Sequence, residues 1–207
     1  MVRRKEGVAE KILECAKKEF LKAGYSEASL RTIAKEAGTT TGTIYSRFKD
    51  KEGLFAAIVE PAAVQLLNRF REFQEEFHNE DPDKQPELMG SAISSGMDEM
   101  IDFMYDHFEE FQLLVDASYG TKFQDYVEKL VDIETEYTFR YMESVKIQNE
   151  ESEFVTEEFV HIMSMALFES TFETIRHKMS REKAKTYVKM LERYHYAGWN
   201  EIFHYDK

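Results

Sequence analysis

The chain has 207 residues, 43% of them hydrophobic, and a formal net charge of −13. This length is enough for one ordinary domain, or for a small domain joined to a larger one. The single cysteine excludes an internal disulfide and a cysteine-rich zinc site. No apolar run approaches the roughly 18 residues that span a bilayer, and the N-terminus lacks the apolar core of a secretory signal. We therefore expect a cytoplasmic protein with no membrane partner.

The charge is divided unevenly along the sequence. Residues 1–51 contain 12 Lys and Arg against 7 Asp and Glu, whereas the remaining residues contain 15 against 33. This division predicts a small basic module that binds a polyanion, joined to an acidic body that does not. The alternative is a chance scatter of surface charge.

Most of the sequence carries apolar residues at helical spacing, and only three prolines and nine glycines interrupt it. These features predict an all-α fold of about nine helices. After a first long helix, Ser29 is suited to cap a second helix over residues 30–37 that ends at Gly38. Thr40 is suited to cap a third, over residues 41–48.

The acidic body continues the helical pattern. Asp50 is suited to cap a long fourth helix, because an acid is favourable at the positive end of the helix dipole. Residues 78–86 are polar and contain two prolines, which predicts a loop before a fifth and a short sixth helix. The seventh and eighth helices are expected over about residues 123–145 and 155–179. Ser180 is suited to cap the ninth.

The third predicted helix has no long side chain on its outer face. On a helical wheel Ile44 and Phe48 face inward, whereas Gly42, Thr43 and Ser46 fall on the opposite side. Small residues there allow another surface to approach the backbone, and the major groove of DNA admits one α-helix. Hydroxyl groups and cations suited to phosphate oxygens accompany this face: Thr43, Tyr45, Arg47, Lys49 and Lys51.

The run from Lys11 to Phe55 resembles the DNA-binding domain of the TetR family of transcriptional regulators. The matching segments include "IAKEAG" in the second helix, "GTIYSRF" in the third and "KEGLF" at the start of the fourth. Thr39 departs from the family, which usually has an apolar residue at this position. The resemblance implies base contacts from Thr41, Gly42, Ser46 and Arg31, and phosphate contacts from Thr43, Tyr45 and Lys51.

The resemblance also implies a division into a helix-turn-helix domain over residues 1–50 and a helical domain over residues 51–207. In the family the second domain binds a small ligand and forms a homodimer. Its methionines and aromatic residues suit varied apolar ligands, although such stripes are also ordinary core. The predicted ligand contacts are Met97, Met100, Met104, Phe111, Tyr137, Phe168 and Phe172.

The last two predicted helices carry apolar residues on more than one face. Such helices lie either at the centre of a core or between a core and a partner chain, and their place at the end of the sequence favours the second arrangement. The predicted homodimer contacts are Phe159, Met163, Ala166, Ser170, Leu191, Tyr194 and Gly198.

The sequence contains no recognisable catalytic or metal-binding motif, so we expect no enzyme activity, no metal and no cofactor. The leading interpretation is a ligand-responsive regulator, most simply a repressor. It would bind a near-palindromic operator in double-stranded DNA as a dimer, and a small apolar or amphipathic effector would release it. The alternatives are an all-helical carrier of a hydrophobic small molecule and an enzyme with unrecognised carboxylate chemistry.

Overall fold

The computed structural model describes residues 2–147 and 155–203, with side chains from Gly7 onward. Over these ranges the chain forms nine helices and no strand, which confirms the all-α prediction. The helices are Val2–Glu27 (α1), Leu30–Glu36 (α2), Thr41–Phe48 (α3), Lys51–His78 (α4), Gln85–Asp106 (α5), Phe108–Asp116 (α6), Tyr126–Ser144 (α7), Glu157–Arg176 (α8) and Arg181–Phe203 (α9).

The helices pack into two compact units. The first unit comprises Met1–Gln65 and His107–Tyr126, and the second comprises Leu66–Asp106 and Val127–Lys207. Helix α4 contributes residues to both units, and α6 belongs to the first. These units are defined by packing. The predicted end of the DNA-binding domain at residue 50 concerns function, and it stays a prediction.

The core of the first unit is built from the apolar stripes of its short helices. Ile12 and Phe20 of α1, Ile33 of α2, Ile44 of α3 and Phe55 of α4 are all fully buried. The rings of Phe20 and Phe55 meet edge to face at 5.1 Å between centroids. Burying each such side chain contributes about 1.5–3 kcal/mol, so these contacts fix where α3 lies in the unit.

Helix α6 joins this unit through its polar residues as well. The Lys17 ammonium lies 2.6 Å from a carboxylate oxygen of Glu110 and 3.3 Å from one of Glu109. The amide of Tyr25 donates to the carbonyl of Ala117 at 3.1 Å. Helix α1 is therefore held to α6 near its middle, and near its C-terminal end it is held to the residue that follows α6.

In the second unit the buried side chain of Gln85 completes the end of α4. Its amide nitrogen donates to the carbonyls of His78 and Glu80, both at 3.1 Å, and its amide oxygen accepts from the Ser144 hydroxyl at 2.9 Å. The last carbonyls of a helix have no partner within the helix, so one glutamine here helps to satisfy them and ties α4, α5 and α7 together.

Candidate nucleic-acid interface and ligand cavity

Helix α2 has the ends that the sequence predicts. The Ser29 hydroxyl accepts from the amide of Thr32 at 3.4 Å. At the other end Gly38 has a φ of 65°, and the amide of Thr39 donates back to the carbonyl of Ala34 at 2.8 Å. This pattern is a Schellman motif, for which glycine is preferred because it adopts positive φ without steric cost. The turn before α3 is thus set by local sequence.

Helix α3 uses its own hydroxyl groups to hold its first turn. The predicted cap is present, since Thr40 Oγ1 accepts from the amide of Thr43 at 3.2 Å. The hydroxyls of Thr40 and Thr43 lie 3.1 Å apart, and Ser46 Oγ donates to the carbonyl of Thr43 at 3.0 Å. The cap bond from Thr40 offsets part of the weak helix propensity of threonine and serine in this segment.

The two faces of α3 differ as the wheel predicts. Ile44 is fully buried, whereas Gly42 and Ser46 are exposed and Tyr45 is 52% exposed. A Cβ atom placed on Gly42 would find its nearest heavy atom, Thr40 Oγ1, at an ordinary 3.7 Å. Glycine inside a helix costs about 1 kcal/mol relative to alanine, and packing within the described protein does not require it here.

The turn between α3 and α4 is tight and strained. Lys49 has φ 69° and ψ −54°, and the amide of Asp50 donates to the carbonyl of Phe48 at 2.9 Å, which closes a γ-turn. That same carbonyl oxygen would lie 2.0 Å from a Cβ placed on Gly53. The Asp50 carboxylate then caps α4 by accepting from the amide of Gly53 at 2.7 Å. Gly53 is therefore required by the fold of the first unit.

Lys51, a predicted phosphate contact, is half-buried at the start of α4. Its ammonium donates to the carbonyl of Ser26 at 2.9 Å and lies 4.9 Å from the centre of the Tyr25 ring. Burial lowers the pKa of this ammonium, while Glu27 and Glu19 oppose the shift. An ammonium has three protons, so the bond to Ser26 orients Lys51 without using all its donors.

The predicted DNA contacts lie on α3, on the turn after it, and at the start of α2 and of α4. The exposed members of the set are Arg31, Gly42, Tyr45, Ser46, Arg47 and Lys49, and the half-buried members are Thr41, Thr43 and Lys51. None of the set is fully buried, so folding leaves each of these side chains at the surface of the first unit.

The second unit contains a cavity of about 130 Å³ between α4, α5, α7, α8 and α9. Methionines Met89, Met97 and Met100 contribute to its wall. Aromatic side chains form much of the remainder: Phe70, Phe73, Phe77, Tyr137, Tyr141, Phe168, Tyr196, Trp199 and Phe203. Pockets of this kind, apolar with a few polar groups, are typical of small-molecule sites.

One polar group on the cavity wall is the carboxylate of Glu134 on α7. It accepts from the amide of Gln74 on α4 at 2.6 Å. Burial raises the pKa of this carboxyl to about 7, and the bond from Gln74 only partly opposes the shift. A carboxyl group in apolar surroundings favours its neutral form unless a cation compensates it.

A second carboxylate on the wall, that of Glu192 on α9, is only 7% exposed. Ser94 hydrogen-bonds to this carboxylate, but Glu192 Oε1 has no hydrogen-bond partner among the described residues. Burial raises the pKa of Glu192 to about 7, and the nearby charge of Asp98 adds to the shift. Buried polar atoms are nearly always satisfied, so an orphaned oxygen on a residue of the cavity wall indicates a candidate site for a ligand or an ion.

The cavity brings together some of the predicted ligand contacts. Met97, Met100, Tyr137 and Phe168 line it. Met104 and Phe172 are fully buried in the second unit and are not among the lining residues, and Phe111 is buried in the first unit. A helical stripe cannot distinguish a side chain that faces a void from one that faces another helix, which explains this mixture.

Sequence reasoning missed Glu134 and Glu192, although a signal for both was present. Glu134 falls on the stripe of Leu130, Tyr137 and Tyr141, spaced four, three and four residues apart. Glu192 likewise falls in line with the apolar side chains of its own helix. An acidic residue within an apolar helical stripe is rare without a partner or a ligand, so it marks a candidate site.

The predicted dimer contacts lie along α8 and α9 of the second unit. Ile162, Met190 and Tyr194 are large apolar side chains that are 57%, 60% and 76% exposed. Ile162 and Met190 extend the predicted set. Within that set Ala166, Tyr194 and Gly198 are exposed, whereas Phe159, Met163, Ser170 and Leu191 are half-buried.

Metal binding and membrane insertion have no support among the described residues. No group of three or more histidine, cysteine, aspartate or glutamate side chains there has an arrangement that could hold a metal ion. None of the helices in those ranges is both long and apolar enough to cross a bilayer.

Residues 12–58 match the family model of bacterial regulatory proteins of the tetR family. The HTH-type transcriptional regulator AcrR of Shigella flexneri is 42% identical over 66 residues, which are 32% of this chain and 31% of AcrR. The chain spans between 31% and 48% of the length of AcrR and two Staphylococcus aureus regulators that it also matches.

The similarity of fold extends further than the similarity of sequence. SmeT, the repressor of the Stenotrophomonas maltophilia multidrug efflux pump SmeDEF, superimposes with a TM-score of 0.61 at 16% identity, over 92% of this chain and 89% of SmeT. FadR of Bacillus subtilis, solved in complex with stearoyl-CoA, gives 0.60 at 15% identity, over 88% of this chain and 96% of FadR. At these identities the likeness is one of fold.

Proposed function

We propose, from the match of residues 12–58 to the family model of bacterial regulatory proteins of the tetR family, that this chain is a ligand-responsive transcriptional repressor of that family. It binds a near-palindromic operator through α3, as a homodimer, and a small apolar or amphipathic ligand in the cavity releases it. It is a cytoplasmic protein without catalytic activity or a cofactor.

The observation that carries DNA binding is the outer face of α3. Gly42 costs helix stability and satisfies no packing requirement within the described residues, so an external surface is the remaining reason for a residue without a side chain. The major groove is such a surface. The exposed Tyr45 hydroxyl and the cations Arg31, Arg47 and Lys49 supply donors for phosphates around it.

A hydrophobic carrier would account for the cavity but not for this face of α3. The two functions are separated by Gly42→Ala. If the protein is a carrier, the substitution should leave its stability unchanged or raise it, and should have no effect on DNA binding. For a regulator it should weaken operator binding by about tenfold or more, because a methyl group would occupy space at the closest approach to the bases. Operator DNA obtained by selection from a random duplex library, followed by fluorescence anisotropy, measures this change.

Homodimer formation is supported by the exposed apolar residues of α8 and α9. Ile162, Met190 and Tyr194 add to a surface that also contains the exposed small residues Ala166 and Gly198. Large apolar side chains exposed on α8 and α9, two helices that pack against each other, are candidates for an interaction site. Sedimentation at micromolar concentration should give a dimer, and Ile162→Lys should give a folded monomer. A wild-type monomer would contradict the dimer.

The two structural relatives suggest different classes of effector. SmeT is named as the repressor of a multidrug efflux pump, and FadR was solved with an acyl-CoA, which is an anion. For this chain the proposal is limited to an apolar or amphipathic ligand. Its release of DNA requires an affinity difference between the free and the DNA-bound protein, usually worth about 1–3 kcal/mol.

A further inference from the structure

The chemistry of the cavity wall restricts the effector further than its shape does. Within the described residues the ionisable side chains lining it, tyrosines aside, are Glu134, Glu192, His78 and His195, so no lysine or arginine faces the ligand. Burial lowers the pKa of His195, which keeps its imidazole neutral at physiological pH. The wall therefore carries two acidic side chains and no lysine or arginine among its described residues.

Among the described residues, Glu134 forms no ion pair with a lysine or an arginine. Its hydrogen bond comes from the neutral amide of Gln74, and burial and that bond are the two influences on its ionisation. Arg140 stacks on the Tyr137 ring at 4.7 Å, but its guanidinium is paired with Glu75 at 3.2 Å and Glu136 at 2.6 Å. This nearby positive charge is thus committed to other carboxylates.

Glu192 also indicates a cationic ligand, independently of Glu134. It is 7% exposed, it lines the cavity, and its Oε1 atom is unsatisfied among the described residues. The nearby ammonium of Lys189 pairs instead with Asp98 at 3.7 Å. Leaving a buried carboxylate oxygen without a partner is costly, and a ligand cation would remove that cost.

We propose that this cavity binds a lipophilic organic cation, with Glu134 and Glu192 as its counter-charges and the aromatic wall around its apolar body. This inference rests on the proposed function only in calling the ligand an effector. The faces of tyrosine, tryptophan and phenylalanine rings attract a cation that has been removed from water, and alkylammonium groups are well suited to such sites. An anionic amphiphile would meet two carboxylates and no compensating cation.

The single tryptophan of the chain reports directly on occupancy. Trp199 lines the cavity, and its ring stacks on that of Phe203 at 5.2 Å between centroids. Titration of the full chain followed by Trp199 fluorescence therefore measures binding without DNA. The three probes are decyltrimethylammonium, decanol and decanoate, which share one tail and differ in the charge of the head group.

The expected order of affinity at pH 8 is the cation first, by about tenfold or more over the alcohol, and the anion last. Glu134→Gln and Glu192→Gln should each weaken the cation by about tenfold and leave the alcohol unchanged. Glu143→Gln, the same charge change at an exposed position of α7, should leave the cation within about twofold, because solvent screens exposed charges. Equal binding of cation and alcohol to the wild type, or full cation affinity in the double Glu→Gln variant, would overturn the proposal.

The same probes separate this inference from the proposed function. A cation that changes Trp199 fluorescence but leaves operator affinity unaltered would refute the effector role while the cation site stands. Release of the operator by decanol or decanoate, with no preference for the cation, would support an effector role and refute the cation site.

Discussion

The two units of this protein bury different kinds of groups. In the first, Ile12, Phe20 and Ile44 are fully enclosed by other apolar side chains, and the carbonyl of Phe48 fills the place of a side chain at Gly53. In the second, Glu192 is almost as deeply buried, yet one of its carboxylate oxygens has no partner among the described residues. Among the described residues, the buried polar atoms without a hydrogen-bond partner lie in the second unit, where a ligand could bind to them.

This difference between the units determines where substitutions should act. In the first unit, packing fixes the position of α3. A larger side chain should therefore destabilise the fold wherever it would meet a neighbouring backbone atom. In the second unit, substitutions on the cavity wall should change ligand binding more than stability, because the carboxylates there are already unfavourable without a ligand. Substitutions of glycine test this contrast most directly.

The largest expected effect is that of Gly53→Ala. Its Cβ would lie 2.0 Å from the Phe48 carbonyl oxygen, and backbone cannot move aside as a side chain can. We expect a loss of about 3 kcal/mol or more in the free energy of unfolding of the first unit, measured by chemical denaturation. Gly42→Ala is the matched control, since its Cβ has room at 3.7 Å, and it should stabilise by up to about 1 kcal/mol.

In the second unit, Gly96→Ala should change ligand binding more than stability. Its Cβ would lie 2.8 Å from Cζ of Phe73, and both residues line the cavity. The ring can move, but only at the cost of ligand space, so decyltrimethylammonium should bind about tenfold more weakly, which is about 1.4 kcal/mol. Gly90→Ala on the same helix, with ordinary contacts to Tyr196 from 3.5 Å, should bind as the wild type does.

If Gly96→Ala and Gly90→Ala gave equal affinities in the Trp199 titration, the place of Phe73 on the ligand surface would be wrong. Denaturation of both variants provides the comparison with the first unit, where the corresponding pair should differ in stability.

A smaller effect is expected from pH. Both cavity carboxyls have their pKa raised to about 7, so they lose their protons, and become counter-charges, as the pH rises through 7. Affinity for decyltrimethylammonium should therefore increase several-fold between about pH 6 and pH 8, and the increase should be smaller in Glu134→Gln. A flat profile in the wild type would contradict the role of these carboxyls.

Other groups face the same carboxyls and belong to this pH experiment. Asp98 and Lys189 lie close enough to influence the pKa of Glu192, with opposite signs. The other polar groups lining the cavity are Gln74, His78, Gln85, Tyr137, Thr138, Tyr141, His195, Tyr196 and Asn200.

The same pKa shifts predict a loss of unliganded stability with rising pH. The unfolded carboxyls release their protons near about pH 4.3, whereas the folded ones hold theirs to about pH 7. The folded state therefore binds more protons across this window, and the contribution of these groups to stability falls as the pH rises through it. Denaturation of the wild type and of the double Glu→Gln variant across this window measures the difference.

The smallest expected effect belongs to Lys51→Ala. If its ammonium also contacts a phosphate, the slope of log affinity against log salt should flatten by about 0.9, with equal weakening on different sequences. The loss of the bond to Ser26 will also cost some stability, so denaturation must accompany the anisotropy titrations. An unchanged slope would leave Lys51 with the structural role alone.

The first unit was more predictable from sequence than the second because its signals are local. Ser29, Gly38 and Thr40 each determine the conformation of a neighbouring turn, and the structure places the ends of α2 and α3 within a residue of the prediction. The cavity depends on side chains from five helices that meet only after folding. The sequence therefore does not show that Phe73 and Glu134 line the same cavity. For the same reason it does not show that α6 packs in the first unit.

If α3 enters the major groove as proposed, the hydroxyl of Ser46 restricts which bases can lie opposite it. Its proton is donated to the carbonyl of Thr43, one turn earlier in α3. While that bond is kept, Ser46 Oγ offers only lone pairs to the major groove. An acceptor of this kind is matched by the amino groups of adenine and cytosine, and it is mismatched with the O6 of guanine and the O4 of thymine. Operators facing Ser46 should accordingly present an exocyclic amine at that step.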